Sequence, residues 1–142
     1  MIEGGESLGV GGTRLIELRE ISADNGSLVV GEVPKSLPFV VRRFFALYGI
    51  PAGEARGTHA HRECEQFLVC LRGSVTALVD DGRTQRELVL DRPDRGLYMP
   101  PLTWGTQSDY SADALLLVFA SHEYAASDYI EDYDEFLALT RG

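Results

Sequence analysis

The sequence predicts an all-β protein that ends in one short helix. Short segments rich in β-branched and aromatic residues recur along the chain, and turns that contain glycine separate them. Apolar residues at helical spacing stand out near the C-terminus. These observations favour a sandwich or a barrel of antiparallel strands. At 142 residues, the chain has the length of one such domain.

The N-terminal region divides into a tail and a hairpin. Residues 1–12 are rich in glycine and show no apolar periodicity, so we expect a flexible tail. The domain then covers residues 13–142. Its first two strands are expected at residues 13–18 and 27–32, because a turn of the Asp-Asn-Gly type stands between them.

The next strand is expected at residues 39–48, which are β-branched and aromatic. Arg42 and Arg43 lie in its middle. Neighbouring side chains of a strand face opposite ways, so at most one of these arginines faces the interior.

The central segments predict an antiparallel meander. Residues 66–72 and 74–80 are expected to form a hairpin around Gly73, and the second of these strands then continues through an Asp-Asp-Gly turn into residues 83–90. A meander is the simplest topology for strands that follow one another through such short turns.

The C-terminal segments complete the barrel. Residues 97–99 read as a short strand, and residues 114–120 form an apolar run typical of a strand buried on both sides. From Ser127 onward, apolar residues at helical spacing follow a serine or aspartate that can cap the helix: Ile130, Tyr133, Phe136 and Leu137. We expect this helix to cover one face of the barrel.

Composition excludes several classes of function. The net charge is -9, so the chain lacks the basic surface that displaces counterions from nucleic acids. No apolar run reaches the length of a membrane span, and the N-terminus lacks the pattern of a signal peptide. Cys64 and Cys70 are too few for a disulfide framework. The sequence therefore predicts a cytoplasmic protein with neither a nucleic-acid nor a membrane partner.

The candidate active residues lie in the segment from Arg56 to Gly73. If this segment is extended, His59 and His61 point to the same side. Imidazole titrates near neutral pH and also offers a neutral lone pair, so the pair suits proton transfer or metal binding. A His-x-His sequence also occurs on solvated strand faces, and spacing alone leaves these alternatives open.

The framing residues Gly53, His59, His61, Glu65 and Gly73 resemble the first motif of the cupin superfamily, although the last interval is one residue longer. More narrowly, residues 56–61, 65–74 and 96–98 resemble the nucleotide-sugar 3,4-ketoisomerases, and the likeness extends from Pro38 to Phe136. Those enzymes act on dTDP-4-keto-6-deoxyglucose. The resemblance implies a single-domain cupin jelly-roll barrel that encloses the substrate.

The resemblance also implies the chemistry. Moving a carbonyl from C4 to C3 requires a base, a proton donor and stabilisation of an enediolate. We expect His59 to act as the base and His61 as the proton donor or shuttle. Candidate substrate-binding residues provide oxyanion donors, an acid to orient an imidazole, aromatic stacking and a cation for the diphosphate: Arg56, Gln66, Gln107, Glu65, Tyr98, Trp104, Arg72 and Arg95.

We expect neither a metal nor another cofactor, because Gly105 stands where metal-binding cupins place a histidine. One alternative is a metal-dependent oxygenase with a triad of His59, His61 and Glu65. The other is a sugar-binding cupin without turnover. The resembling enzymes are dimers, so we also expect a homodimer in which residues 13–32 cross between the subunits.

Overall fold

The computed structural model describes residues 5–141, and within this range it contains thirteen strands and one α-helix. In chain order they are β1 (Glu6–Ser7), β2 (Arg14–Glu17), β3 (Arg19–Ala23), β4 (Gly26–Val30), β5 (Arg43–Tyr48), β6 (Arg56–His61), β7 (Gln66–Arg72), β8 (Val75–Asp80), β9 (Gln85–Leu90), β10 (Arg95–Met99), β11 (Trp104–Ser108), β12 (Leu115–Ala120), β13 (Tyr129–Ile130) and α1 (Tyr133–Arg141).

The strands form two large antiparallel sheets and one separate hairpin. The six-stranded sheet has the order β1-β2-β10-β7-β12-β5, and the five-stranded sheet has the order β13-β6-β11-β8-β9. Within the described range, the strands β3 and β4 pair with each other and with no third strand. The two large sheets enclose a common core, as in a jelly-roll barrel. The predicted all-β fold with a short C-terminal helix is therefore confirmed.

Strand β7 shows how the chain fills two layers at once. Leu68 and Cys70 face the core between the sheets, where they meet β8 and β12. Phe67 and Val69 face outward and contact Leu37 from the loop before β5. Because side chains alternate along a strand, this loop lets an uninterrupted apolar run bury both of its faces.

Helix α1 covers the outer face of the five-stranded sheet. Its Phe136 is buried against Trp104 and Ile130. The helix begins after Asp132, whose carboxylate accepts the backbone N–H of Asp134. The helix was predicted from Ser127 onward and starts later, so its cap is Asp132 rather than a residue before Ile130, and Ile130 belongs to β13.

The predicted flexible tail is wrong for residues 5–12. Glu6 and Ser7 form β1 against β2, and Leu8 and Val10 are buried in the core. The backbone N–H of Gly11 also donates to Asp81. Glycine-rich sequence concealed this segment because only two apolar side chains carry its packing. The remainder of the predicted tail, residues 1–4, lies outside the described residues.

Two local predictions need correction in the first half of the chain. The hairpin exists, but its strands are β3 and β4 rather than residues 13–18 and 27–32. Residues 14–17 instead form β2 between β1 and β10. The next strand starts only at Arg43, because the residues before it cover the outer face of the sheet.

The predicted meander is also wrong at Gly73. Strand β7 pairs with β10 and β12, whereas β8 pairs with β9 and β11, so the turn at Gly73 carries the chain from one sheet to the other. Gly73 has a φ of 70°, and a Cβ there would collide with Ser111. The second predicted hairpin, between β8 and β9, is confirmed.

Strand β12 is buried less evenly than predicted. Its alternate residues Leu116, Val118 and Ala120 are buried, whereas Leu115, Leu117 and Phe119 are half-buried. Among the described residues, no helix is long and apolar enough to cross a membrane.

Candidate active site

A cavity of about 240 Å³ lies between the two sheets. Phe45, Leu68 and Val118 contribute apolar wall, and β6, β7 and β11 contribute the polar side chains Arg56, His59, His61, Gln66 and Gln107. An apolar cavity with a few convergent polar groups is the usual form of a small-molecule site.

Strand β6 places both histidines in this cavity. His59 pairs with Gly105 of β11, and His61 pairs with Tyr129 of β13. Ala60, which lies between them in sequence, points away from the cavity and is buried beneath α1. The predicted strand periodicity is therefore confirmed for this pair.

The two imidazoles contact each other directly. Their Nε2 atoms are 3.1 Å apart, so one nitrogen carries a proton and the other accepts it. The rings meet edge to face, with centroids 4.8 Å apart. A proton can therefore pass between the two side chains without an intervening water.

Asp128 fixes the direction of this chain of hydrogen bonds. Its Oδ2 lies 2.8 Å from Nδ1 of His61, and its Oδ1 accepts the backbone N–H of Glu63. With Nδ1 of His61 donating to the carboxylate, Nε2 of neutral His61 accepts from His59. His59 then keeps its lone pair on Nδ1, which has no hydrogen-bond partner among residues 5–141.

Burial keeps the imidazoles neutral. It lowers the pKa of His59 to about 4, an effect that the charge of His61 increases and that of Asp128 opposes. Burial also lowers the pKa of His61, although the hydrogen bond and the charge of Asp128 oppose this shift. Burial alone would raise the pKa of Asp128, but hydrogen bonds from Glu63 and His61 outweigh it and keep that pKa below its usual value.

Tyr129 restrains both rings. Its ring centroid lies 4.7 Å from that of His59 and 4.5 Å from that of His61. Because β13 pairs with β6, the backbone holds this tyrosine beside the histidines. The imidazoles are therefore confined by packing as well as by hydrogen bonds.

Three predicted binding residues line the same cavity. Arg56 comes from the start of β6, Gln66 from the start of β7 and Gln107 from β11. Gln107 faces the backbone at Gly57, where a Cβ would collide with its amide. The structure thus brings these three side chains together with the histidines, and their contacts with substrate stay predictions.

Glu65 and Tyr98 lie elsewhere. The hydroxyl of Tyr98 donates to Oε1 of Glu65 at 2.5 Å, and Tyr98 packs with Phe39 on the outer face of the six-stranded sheet. The predicted role of Glu65 in orienting an imidazole is wrong, because Asp128 does this instead. The facial triad of the oxygenase alternative is likewise not assembled.

Trp104 and Arg72 do not line the cavity either. Trp104 lies on the side of β11 opposite to Gly105 and contacts Tyr133 and Phe136 of α1. Its predicted stacking role does not fit this position, because the indole is buried and already packs against both of these helix residues. Arg72 is exposed at the end of β7. The proline-bounded loop before Trp104 indicated a binding loop, but it leads into a core contact.

The position expected to hold a metal-binding histidine in related cupins is filled by another side chain. A Cβ on Gly105 would come within 2.5 Å of the terminal methyl of Met99. Among the described residues, His61, Cys64 and Asp128 bring possible ligand atoms within 4.8 Å of one another. Both carboxylate oxygens in that group already accept hydrogen bonds from the protein.

Sequence reasoning missed two residues that contact the histidines, Asp128 and Tyr129. Asp128 directly precedes β13 and Tyr129 begins it, and a two-residue strand has no periodicity to detect. For Arg43 the sequence left two possibilities, because strand alternation allows either Arg42 or Arg43 to face inward. The structure decides for Arg43, which is in register with Ala120 of β12 and, through it, with the cavity residue Gln66 of β7.

Comparison with known proteins identifies the family. Residues 11–141 match the model of the FdtA family, described as WxcM-like, C-terminal. The chain belongs to the FdtA family. A curated relative, the TDP-4-oxo-6-deoxy-alpha-D-glucose-3,4-oxoisomerase of Aneurinibacillus thermoaerophilus, is 41% identical over 87% of this chain and 88% of its own length.

The fold of this FdtA family member is similar to the solved structures of 3,4-ketoisomerases. A 3,4-ketoisomerase from Helicobacter canadensis has a TM-score of 0.88 and 35% identity, covering 92% of this chain and 98% of its own. A second structure is QdtA from Thermoanaerobacterium thermosaccharolyticum, a histidine-to-asparagine variant in complex with TDP-4-keto-6-deoxyglucose. Its TM-score is 0.90 and its identity 30%, and the match covers 93% of this chain and 96% of QdtA. The predicted resemblance is confirmed.

Proposed function

We propose that this chain is a 3,4-ketoisomerase that moves the keto group of TDP-4-keto-6-deoxyglucose from C4 to C3. The observation that carries the proposal is the hydrogen-bonded pair of imidazoles in the cavity between the sheets, with Nε2 atoms 3.1 Å apart, His61 buried and His59 half-buried. The relatives named above support the substrate and the reaction. Deoxyamino-sugar biosynthesis is the setting in which such a product is used.

The proton path follows the hydrogen bonds. Nδ1 of His59 holds the free lone pair and takes the proton from C3, which the neighbouring carbonyl acidifies. The electron pair of the C3–H bond moves into a C3–C4 double bond and onto the carbonyl oxygen. His59 can then pass its Nε2 proton to His61, where Asp128 stabilises the imidazolium.

The second half of the reaction reverses this path at the neighbouring carbon. A proton moves from the oxygen on C3 to the oxygen on C4, which exchanges the carbonyl and hydroxyl functions. The imidazole pair then returns a proton to C4. No electron acceptor is required, because the substrate oxidises one of its own carbons and reduces the other.

The neutral state of the imidazoles fits this task. With its pKa lowered to about 4, His59 is neutral at pH 7 and available as a base. The buried side chains of Leu68 and Val118 line the cavity with apolar surface, which limits the access of water to the enediolate in this proposal. Arg56, Gln66 and Gln107 supply hydrogen-bond donors to the substrate oxygens in this proposal.

One incubation tests the proposal against the non-catalytic alternative. The protein is mixed with TDP-4-keto-6-deoxyglucose in deuterium oxide, and the product is followed by NMR. We expect a 3-keto sugar that carries deuterium at C4, unless the histidines return the original proton. Binding of the sugar without turnover would instead favour a sugar-binding cupin. Exchange at C3 and C5 without movement of the keto group would favour an epimerase.

We further propose that the protein is a homodimer in which the hairpin formed by β3 and β4 crosses to the second subunit. All five residues of β3 are exposed, and the hairpin pairs with no other strand among the described residues. Its directly opposed residues Ile21 and Leu28 are 43% and 52% exposed. Isolated two-stranded hairpins are only marginally stable in water, so this one needs a partner surface.

The edge of the six-stranded sheet offers that surface. Strand β5 pairs with β12 on one side only. On β5, Phe44 is 68% exposed and Tyr48 is 73% exposed. Unpaired strand edges with apolar side chains are prone to pair with another chain. A hairpin from a second copy would cover both features at once.

A cytoplasmic location is part of the same proposal. Cys64 and Cys70 are both buried and free, which suits a reducing compartment. Fractionation of producing cells tests it, with recovery in the cytosolic fraction as the expected result.

A further inference from the structure

A row of inward-facing residues crosses the six-stranded sheet beside the histidines. Arg43 of β5 is in register with Ala120 of β12, which is in register with Gln66 of β7. Residues in register on neighbouring strands point to the same side of a sheet. Gln66 lines the cavity, and so does Phe45, two residues after Arg43 on the same strand. The side chain of Arg43 therefore extends along the interior of the barrel.

Among residues 5–141, the guanidinium of Arg43 has no anionic partner. Its Nε is buried and makes no hydrogen bond, and none of the ion pairs between residues 5 and 141 includes it. Its central carbon lies 5.6 Å from the ring centroid of Phe45 and 5.8 Å from that of Tyr124. Two aromatic rings thus hold the group in place and leave its donors unused.

The charge on Arg43 acts at the catalytic pair. Burial is the main cause of the lowered pKa of His61, and the positive charge of Arg43 adds to that lowering. A partly desolvated cation without a counter-charge is costly unless an anion joins it. During the proposed reaction, an anion forms in the adjoining cavity, which is lined by Gln66 of the same row and Phe45 of the same strand.

We infer that Arg43 is a catalytic residue whose guanidinium stabilises the negative charge of the enediolate. This inference rests on the proposed function. Removal of the C3 proton places one negative charge on the substrate oxygens while the imidazole pair becomes positive by one. Arg43 compensates the substrate charge, and it releases this compensation when the proton returns to C4. Nothing is oxidised or reduced beyond the substrate itself.

The test compares Arg43→Gln with Arg42→Gln. Arg42 precedes it directly, is exposed, and lines the groove on the outer side of the sheet. Removal of one donor from an oxyanion site lowers kcat by about 100-fold to 1,000-fold. We expect a loss of that size for Arg43→Gln, with unchanged affinity for TDP alone. Arg42→Gln should keep the wild-type kcat.

Chemical rescue separates charge stabilisation from structure. Free guanidinium should restore part of the rate of Arg43→Ala, whereas urea, which has a similar shape but no charge, should not. A raised KM with weaker TDP binding and an unchanged kcat would overturn the inference, because Arg43 would then bind the diphosphate. Failure of guanidinium to rescue a folded Arg43→Ala would also overturn it.

A third substitution and the activity of the wild-type protein complete the test. If the glutamine and alanine variants do not fold, Arg43→Lys takes their place, and we expect a kcat at least tenfold below wild type because a lysine lacks the planar donor array. A wild-type kcat for that variant would exclude the proposed role. If the wild-type protein itself does not isomerise the sugar, the proposed function fails rather than this inference.

Discussion

Nδ1 of His61 lies 2.8 Å from Oδ2 of Asp128, although the two residues are 67 positions apart in the sequence. The contact exists because β13 pairs with the end of β6 and brings the preceding turn beneath the imidazole. It determines which nitrogen of each histidine carries a proton. The short strand β13 is therefore as important to the site as the histidine strand itself.

Replacement of Asp128 by asparagine should lower kcat by roughly tenfold to a hundredfold, since a residue that orients a functional imidazole has effects of this size. Asp128 raises the pKa of His61, so its loss should also move the acid limb of the pH–rate profile to lower pH. The profile is measured for Asp128→Asn and for Glu123→Gln, an exposed acid of the same segment. An unchanged profile in both would contradict this assignment.

His59→Asn and His61→Asn should each lower turnover on the order of a hundredfold to ten-thousandfold, because asparagine cannot act as a base. Thermal unfolding of both variants should remain close to wild type, as the amide keeps much of the shape and hydrogen bonding. His122→Asn is the matched control, since His122 is exposed beyond the end of β12. Near wild-type rates for both site variants would show that the pair is structural.

The free energy of unfolding should fall as the pH drops from about 6.5 to about 4. The folded protein lowers the pKa of His59 from 6.5 to about 4, so the unfolded chain binds more protons across this interval. The stabilisation is present above the unfolded pKa and is lost as the pH falls through the folded one. Urea unfolding at several pH values checks this, and the slope should be smaller for His59→Asn.

Tyr98→Phe should lower the free energy of unfolding by about 1 kcal/mol, because it removes a hydrogen bond to the Glu65 carboxylate outside the cavity. The kcat for the keto sugar should not change. Urea unfolding and steady-state kinetics on one preparation measure both quantities. A large fall in kcat with unaltered stability would indicate that Tyr98 contacts the substrate.

Light scattering at micromolar concentration should give the mass of a dimer. Removal of residues 19–30, with a short glycine linker in their place, should convert it to a monomer, because this deletes the hairpin proposed to cross between subunits. A substitution of Val89, which is exposed on the edge strand β9, serves as the control and should leave the dimer intact. A dimer that survives the deletion would place the interface elsewhere.

The sequence predicted the histidine pair well because strand periodicity is a local rule. His59 and His61 needed only an extended segment to face the same cavity, and a strand is what β6 provides. The turn between β8 and β9 was equally readable, since its aspartates and glycine act on their own neighbours.

Other features depend on contacts that no local rule contains. A glycine turn serves a hairpin and a crossing between sheets equally well, so Gly73 did not reveal which sheet β8 joins. Trp104 is a residue type that often stacks on ligands, but helix α1 covers it. Leu8 and Val10 are buried through partners far along the chain, which periodicity within twelve residues cannot detect.

The alternation along β7 has a practical consequence for protein engineering. Gln66 and Leu68 contact the space for the sugar, while Phe67 and Val69 anchor a surface loop. A combinatorial library restricted to positions 66, 68 and 118 would therefore vary the size and polarity of the pocket and leave the outer anchor intact. Acceptance of differently substituted hexoses should be open to selection through these positions, within the side-chain volumes that the core tolerates at 68 and 118.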